Sequence, residues 1–321
     1  MTPRLRIVIP GGSGQLGQTL ASHFQSQGHH VTVLTRGPYT APWQTVHWDG
    51  ATIGAWTEHL EGADVCINLA GRSVNCRYHR ANREAIYNSR IDTTRLLNRV
   101  ILNLAEPPGL WLNASTATIY RHALDRAMDE ATGQLGGNEP GAPAKWNFST
   151  RVAKDWEAAF FETPTPRTRK IAMRSAIVLA PIAGNPFVIY SNLVRLGLGG
   201  TQGNGRQFLS WIHDQDFARA VEFLIHRDDL SGIVNLAAPN PLPNREFMAT
   251  LREAWDMPNG LPAHAPLLEV AAFFHRTETE LLLKSRRVVP TRLLESGFSF
   301  LYPDWPSAAD DLVHRWRHRF D

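Results

Sequence analysis

Glycines at positions 11, 14 and 17, within Gly11-Gly12-Ser13-Gly14-Gln15-Leu16-Gly17, carry the most legible chemistry in this chain of 321 residues. They follow an apolar run at residues 5–9 and open a segment of helical pattern, residues 15–27, that stops at Gly28. The order reads as strand, tight turn and helix start. The first glycine suits a turn with unusual backbone angles, the second lets backbone approach a charged group, and the third lets helix pack closely on strand. The first N–H groups of a helix have no partner within it, so this turn is an anion site. A second apolar run at residues 31–34 completes a strand–helix–strand unit, and in that setting the anion is the pyrophosphate of a dinucleotide.

The end of the second strand predicts which dinucleotide. A site that prefers NAD places an Asp or Glu there for the ribose hydroxyls, whereas this chain has Thr35 and Arg36, the latter nineteen residues after Gly17. A guanidinium can hold a 2′-phosphate in a forked, charge-assisted contact, and no carboxylate stands beside it to repel that phosphate. The expected cofactor is therefore NADP(H).

The elements that must position these residues follow from composition and pattern. With 43% hydrophobic and 20% charged residues, the chain can bury a sizeable core, which excludes disordered and fibrous classes. Strand patterns at 64–70, 110–115 and 170–179 alternate with helical patterns at 81–104 and 149–161. This alternation predicts a doubly wound α/β fold, a Rossmann-type parallel sheet covered on both faces. Beyond residue 181 the pattern loosens into glycine loops at 197–200 and 203–205, a strand near 233–236, and helices near 244–255 and 267–274. We therefore expect a nucleotide-binding part over residues 1–180 and a smaller C-terminal substrate lobe over 181–321, interleaved with it.

Charge and cysteine content narrow the class further. The net charge is +3, and the one basic cluster, residues 314–319, reads as the solvated end of a helix. Neither a nucleic-acid nor a membrane partner is expected, since no apolar run approaches the length of a span. Cys66 and Cys76 give no disulfide framework, and Cys66 lies in an apolar run as a core residue of a reducing, cytoplasmic compartment. The chain has no Gly-x-Ser-x-Gly elbow, no His-Glu-x-x-His helix and no Cys/His cluster, so hydrolase chemistry and a metal site are not expected.

Asn68-Leu69-Ala70-Gly71 closes one strand and Ser115-Thr116-Ala117-Thr118-Ile119-Tyr120 closes another, and ligands of such sheets lie outside those strand ends. Together with the glycine motif and Trp211-Ile212-His213-Asp214-Gln215-Asp216, these segments resemble the extended short-chain dehydrogenase/reductase superfamily. The likeness is to its epimerase-like branch, the NAD-dependent epimerase/dehydratase family, with a distinctive C-terminal domain of the DUF1731 type expected over residues 246–304. What the resemblance implies is a nicotinamide cofactor lying across the sheet, with Gly11, Gly12, Ser13, Gly14, Gln15 and Leu16 at the pyrophosphate. It also places Thr35 and Arg36 at the adenine-ribose phosphate and Leu69, Ala70 and Gly71 along the adenosine side and centre. Thr116, with Ser115 before it, matches the superfamily's catalytic hydroxyl, which hydrogen-bonds the substrate oxygen. Arg206 is implied as a substrate contact and Asp216 as a structural anchor.

The departures from that pattern are as informative. The superfamily's general acid is a Tyr four residues before a Lys, yet residues 146–157 contain no Tyr. Anchoring on Glu157 puts Ser149 and Ala153 at the two positions, and anchoring on Lys154 puts Thr150 opposite it. Neither register restores the acid, because an aliphatic hydroxyl is far less acidic than a phenol of pKa about 10. Pro10 and Arg121 also stand where Thr and Gly are usual. The charged group Arg276, Glu278, Glu280, Lys284, Arg286 and Arg287 reads as a salt-linked helix face. If it instead lines the cleft, Arg206 and Arg276 are clamps for a carboxylate or phosphate.

The sequence thus predicts an NADP(H)-dependent oxidoreductase or epimerase-like enzyme acting on a small polar substrate with a nonstandard proton donor. The missing dyad keeps a second expectation beside it: an NADP(H)-binding redox sensor or assembly protein with little or no turnover. Association between copies of the chain is compatible with either.

Overall fold

Ile7 and Ile9 point to one side of their strand and Val8 to the other, and all three are buried. This requires cover on both faces of the sheet, as a parallel, doubly wound arrangement supplies. A computed structural model, which describes residues 3–137, 139, 142–263 and 280–319, has that arrangement. Strands β1 (Arg6–Pro10), β2 (His30–Thr35), β3 (Gln44–His47), β4 (Val65–Asn68), β5 (Leu110–Thr116) and β6 (Arg169–Ser175) enter one parallel sheet. Two short strands, β7 (Ile177–Leu179) and β9 (Trp211–His213), pair with each other in parallel, and β8 (Phe208–Leu209) pairs antiparallel with β11 (Leu242–Pro243). Strand β10 (Gly232–Leu236) returns to the main sheet, whose order is β10-β6-β5-β4-β1-β2-β3. The order reverses between β1 and β4, and that crevice is where ligands of such sheets lie.

Helix α1 (Gln15–Ser26) and α5 (Asp214–Ile225) cover one face, where Leu20, Phe24, Phe217 and Val221 join Ile7, Ile9, Ile67 and Leu112 in one apolar cluster. On the other face α2 (Arg80–Asn103) and α3 (Asn147–Phe161) bring Leu97, Ile101 and Phe160 against Val8, Cys66, Trp111 and Ala172. Cys66 is thus the core residue its setting predicts, and burial pushes its thiol pKa up.

A third cluster forms the C-terminal lobe from α4 (Pro186–Arg195), α6 (Asn244–Ala254) and the terminal helix Trp305–Arg317. Its centre is Trp305, whose ring stacks on Phe247 at 4.1 Å and whose Nε1 donates to the Phe247 carbonyl at 2.9 Å. The basic tail ends this helix. There Arg315 binds Asp214 through two bonds of 2.8 Å, and Trp316 is buried.

The strand expected over 170–179 is two strands. Ala176 N–H donates to Leu236 and Ile177 N–H to Ser210, so the backbone changes partners there and leaves the main sheet. Strand β3, mostly exposed at the sheet edge, shows no apolar alternation that would have marked it. The helix expected near 267–274 lies outside the described residues. No helix among the described residues is long and apolar enough to cross a membrane.

Candidate cofactor and substrate site

The glycine turn meets the end of β4 at the sheet reversal. Gly11 has φ of 75°, and a Cβ there would lie 2.6 Å from the Cα of Ala70, so both the angle and the close approach demand glycine. A Cβ on Gly17 would lie 2.3 Å from the Cα of Gly12, which fixes how tightly α1 sits on the turn. Gly14 is different, with nothing nearer than 3.7 Å to its Cβ position. It caps α1 with no side-chain cap bond and no acid in the first turn. The N–H groups of Gln15, Leu16 and Gly17 therefore begin a helix whose positive end is open to an anion.

Around that turn the other expected residues converge. Thr35 Oγ1 donates to Ser13 Oγ at 3.1 Å, tying the end of β2 to the loop, and Arg36 beyond it is exposed. Buried Asn68 accepts from Ala70 N–H at 3.1 Å and turns the chain out of the sheet, so that Leu69, Ala70 and Gly71 run past Gly11. Gln15 contributes its backbone only, because its side-chain amide donates to the Ala183 carbonyl and accepts from Asn185.

At the end of β5 the two adjacent hydroxyls part company. Thr116 Oγ1 accepts from Thr118 N–H at 3.2 Å, which leaves its own proton to give, and its residue is half-buried. Ser115 is buried and donates to Glu157 Oε1 at 2.5 Å, so the expectation that it shares the catalytic role is corrected: strand alternation turns it into a closed network. Glu157 there accepts both forked bonds of Arg174, at 2.8 and 2.7 Å. Arg174 also donates to the hydroxyl of buried Tyr120, which donates to Asn235 Oδ1 at 2.9 Å. Tyr120 is thereby structural, and burial raises its pKa despite the neighbouring Arg174.

Helix α3 shows what stands at the position of the missing acid. Lys154 is exposed, whereas Ala153 is buried against Ala117 and Tyr120, so the register anchored on Glu157 is the one that faces the β5 end. Ser149, at the position of the absent Tyr, donates to Glu280 Oε2 at 2.7 Å and shares a hydrogen bond with the phenol of Tyr78. Thr150 accepts from Lys284 Nζ at 3.0 Å, and Lys284 also donates to the Thr118 carbonyl at 3.0 Å. Glu280, in the short helix Glu280–Leu283, lies 3.8 Å from the same ammonium. The stretch read as a salt-linked helix face does carry the Lys284–Glu280 link but is buried where it is described: Glu280, Lys284 and Arg286 are 2%, 2% and 6% exposed, and Arg276 and Glu278 lie outside the described residues. Burial, reinforced by Arg286, brings the Lys284 pKa down to about 8, and burial with Glu280 pushes Tyr78 up to about 12.

The substrate expectations divide. Arg206 is exposed on the glycine loop after Gly203, its backbone N–H held by Asn204, and Arg276 lies outside the described residues. Asp216 is a structural anchor: its carboxylate accepts from Leu301 and Tyr302 N–H and from Arg219. Sequence reading missed Tyr78, in a loop whose path no periodicity describes, and Arg90, which lies inside the helical pattern read at 81–104 without any mark of its contacts. Arg121, the residue in place of the usual Gly, holds Gln134 and Asp125 across its own turn. No group of His, Cys, Asp and Glu among the described residues is placed to hold a metal ion.

A seven-stranded parallel sheet with an open glycine turn at its reversal defines a Rossmann-type protein. The chain belongs to the NAD dependent epimerase/dehydratase family, whose profile matches residues 7–237. Residues 265–312 match a domain of unknown function, DUF1731, later at both ends than the 246–304 expected. The chain is 31% identical over 319 residues to the epimerase family protein SDR39U1 of Bos taurus, covering 96% of this chain and 100% of that one. It is also 31% identical over 314 residues to the epimerase family protein YfhF of Bacillus subtilis, covering 96% and 98%. Among solved structures, that of human epimerase family protein SDR39U1 (isoform 2) with NADPH superposes with a TM-score of 0.82 at 28% identity, over 96% of this chain and 99% of that one. The nucleoside-diphosphate sugar epimerase of Corynebacterium glutamicum gives 0.74 at 25% identity, over 97% of this chain and 58% of that one.

Proposed function

We propose that this protein binds NADP(H) across the end of its sheet and transfers hydride to or from a small polar substrate. The observation that carries the reading is the open N-terminus of α1, uncapped and free of acids, with Gly11 pressed on Ala70 and Arg36 exposed at the end of β2. These residues fit the cofactor: N–H groups of residues 15–17 for the pyrophosphate, and Arg36 for the 2′-phosphate. The solved structure of human SDR39U1 with NADPH supports the same choice.

When bound, the nicotinamide supplies or accepts the hydride. Thr116 holds the substrate oxygen, since its lone pair is engaged by Thr118 N–H and its proton is available. Tyr78 is the phenol that stands beside Ser149; like any phenol it is protonated at neutral pH and can give a proton to an oxygen that gains hydride, although burial, which pushes its pKa up to about 12, makes it a weaker acid than a free phenol. Lys284 and Glu280 hold Thr150 and Ser149 in place rather than reacting.

A second reading, a nucleotide-binding sensor or assembly protein of little turnover, rests on one observation: Ser149 and Thr150, the hydroxyls that the two registers put at the place of the absent Tyr, are both bonded to residues of the C-terminal part, Glu280 and Lys284. Fluorescence titration with NADPH and NADH tests the shared premise, and NADPH oxidation against a panel of small carbonyl compounds separates the two. NADPH binding without oxidation of any compound favours the sensor, and binding of neither nucleotide removes both.

A further inference from the structure

Arg90 lies in α2 with its guanidinium between two surfaces. On one side it covers the ring of Trp156, 5.1 Å from the centroid. On the other it touches the Gly71 backbone so closely that a Cβ there would be 3.2 Å from Cζ. Nη1 donates to the carbonyls of Arg72 and Ile86, both at 3.0 Å, while Nε and Nη2 have no hydrogen-bond partner among the described residues. Those two nitrogens form the edge of the guanidinium that receives a carboxylate in the forked manner. Arg174 uses that same edge for Glu157.

The contrast with Arg174 sets the argument. Arg174 is neutralised by a carboxylate with two bonds, and Arg315 by Asp214 in the same way. Arg90 forms no ion pair among the described residues, although burial pulls its pKa down to about 10 and only the Tyr78 phenol and the Cys76 thiol oppose that. Arg90 is half-buried and neither Nε nor Nη2 is a buried unpaired atom, so this edge of the fork stays open to an anion that reaches it from solvent.

Its place says which anion. Gly71 follows the end of β4, outside the carboxyl ends of the strands. Tyr78 interacts electrostatically with Arg90 and hydrogen-bonds Ser149 at the position of the absent acid, so Arg90 stands between the Gly71 turn and the proposed reacting end. The pyrophosphate is already served by the N-terminus of α1. We infer that Arg90, through Nε and Nη2, binds a carboxylate or phosphate group of the substrate beside the carbon that exchanges hydride. The inference rests on the proposed reading for the identity of that carbon, and it makes the substrate an anionic hydroxy or oxo compound.

The test uses the full chain, free and saturated with NADPH, titrated calorimetrically with glycolate, inorganic phosphate and the neutral isostere glycolamide. We expect glycolate or phosphate to bind the wild type in preference to glycolamide. Arg90→Gln weakens that binding by about tenfold or more, as the loss of a charge-assisted fork requires. Arg90→Lys keeps the charge but loses the fork, and falls between them. The NADPH affinity of Arg90→Gln stays within about twofold of wild type, a change worth well under 1 kcal/mol, which also shows that the variant is folded. Equal binding of anion and neutral probe overturns the inference. So does a matching loss of NADPH affinity in Arg90→Gln, which assigns the guanidinium to the cofactor's own phosphates. Arg90-dependent anion binding in a wild type that binds no NADPH upholds the anion site and removes the cofactor reading instead.

Discussion

Lys284 Nζ donates to Thr150 Oγ1 at 3.0 Å across 134 positions of sequence, joining the C-terminal lobe to the helix that flanks the reacting end. A lysine from outside α3 thus reaches this helix, and it meets a threonine rather than a phenol. Its second bond, to the Thr118 carbonyl, ties both to the strand end that carries Thr116.

This contact predicts a pH dependence of stability. Lys284 has an ordinary value of 10.5 that burial lowers to about 8, with Arg286 adding to the effect and Glu280 and Glu139 opposing it. The unfolded chain therefore holds more protons between those values, and stability rises with pH across the window from about 8 to 10.5. Below it the folded state carries the full cost of the buried charge, on the order of 3 kcal/mol. Urea unfolding at a series of pH values should show this rise in the wild type and lose it in Lys284→Met; an unchanged profile would mean that the ammonium is not the titrating group.

Arg36→Ala should weaken NADPH about tenfold to a hundredfold, the range for a hydrogen-bonded charge pair, and leave NADH unchanged. Parallel fluorescence titrations with the two nucleotides check it. Equal loss for both would place Arg36 away from the 2′-phosphate.

Thr116→Ala and Tyr78→Phe each remove one hydroxyl that the proposed function uses. Once a substrate is in hand, Tyr78→Phe should lower kcat by about 10² to 10⁴, the usual worth of general acid assistance, with NADPH affinity retained. Thr116→Ala should abolish turnover. Activity that survives Tyr78→Phe leaves water or the substrate as proton donor.

Glu157→Ala should destabilise the fold by roughly 3–5 kcal/mol, because it strands Arg174 in the core with Ser115 and Tyr120 beside it. The double variant Glu157→Leu/Arg174→Met should recover most of that loss, since removing both charges removes the uncompensated one. Denaturant midpoints at an unchanged slope measure the difference. A single variant as stable as the wild type would show that the pair contributes little.

The parts of this protein that its sequence determines by itself are those set by local rules. Glycine at 11 reports a backbone angle and a close approach and glycine at 17 a close approach, and apolar runs of strand length between helical patterns report a sheet covered on both faces. Those signals located β1, α1, β2 and the nucleotide turn to within a residue or two. They also marked Ser115 and Thr116 as a strand end, but a strand sends neighbours to opposite sides, and only packing decided that Thr116 stays available while Ser115 joins Glu157 and Arg174. The charged residues from Arg276 to Arg287 read as a salt-linked helix face or as a cleft lining, and only the fold shows Glu280, Lys284 and Arg286 buried, with Glu280 and Lys284 against groups far away in sequence. Tyr78 and Arg90 acquire meaning only when a loop and a helix bring them beside Ser149 and Gly71. Short-range stereochemistry is written residue by residue, whereas desolvation and the pairing of distant charges depend on which surfaces the folded chain brings together.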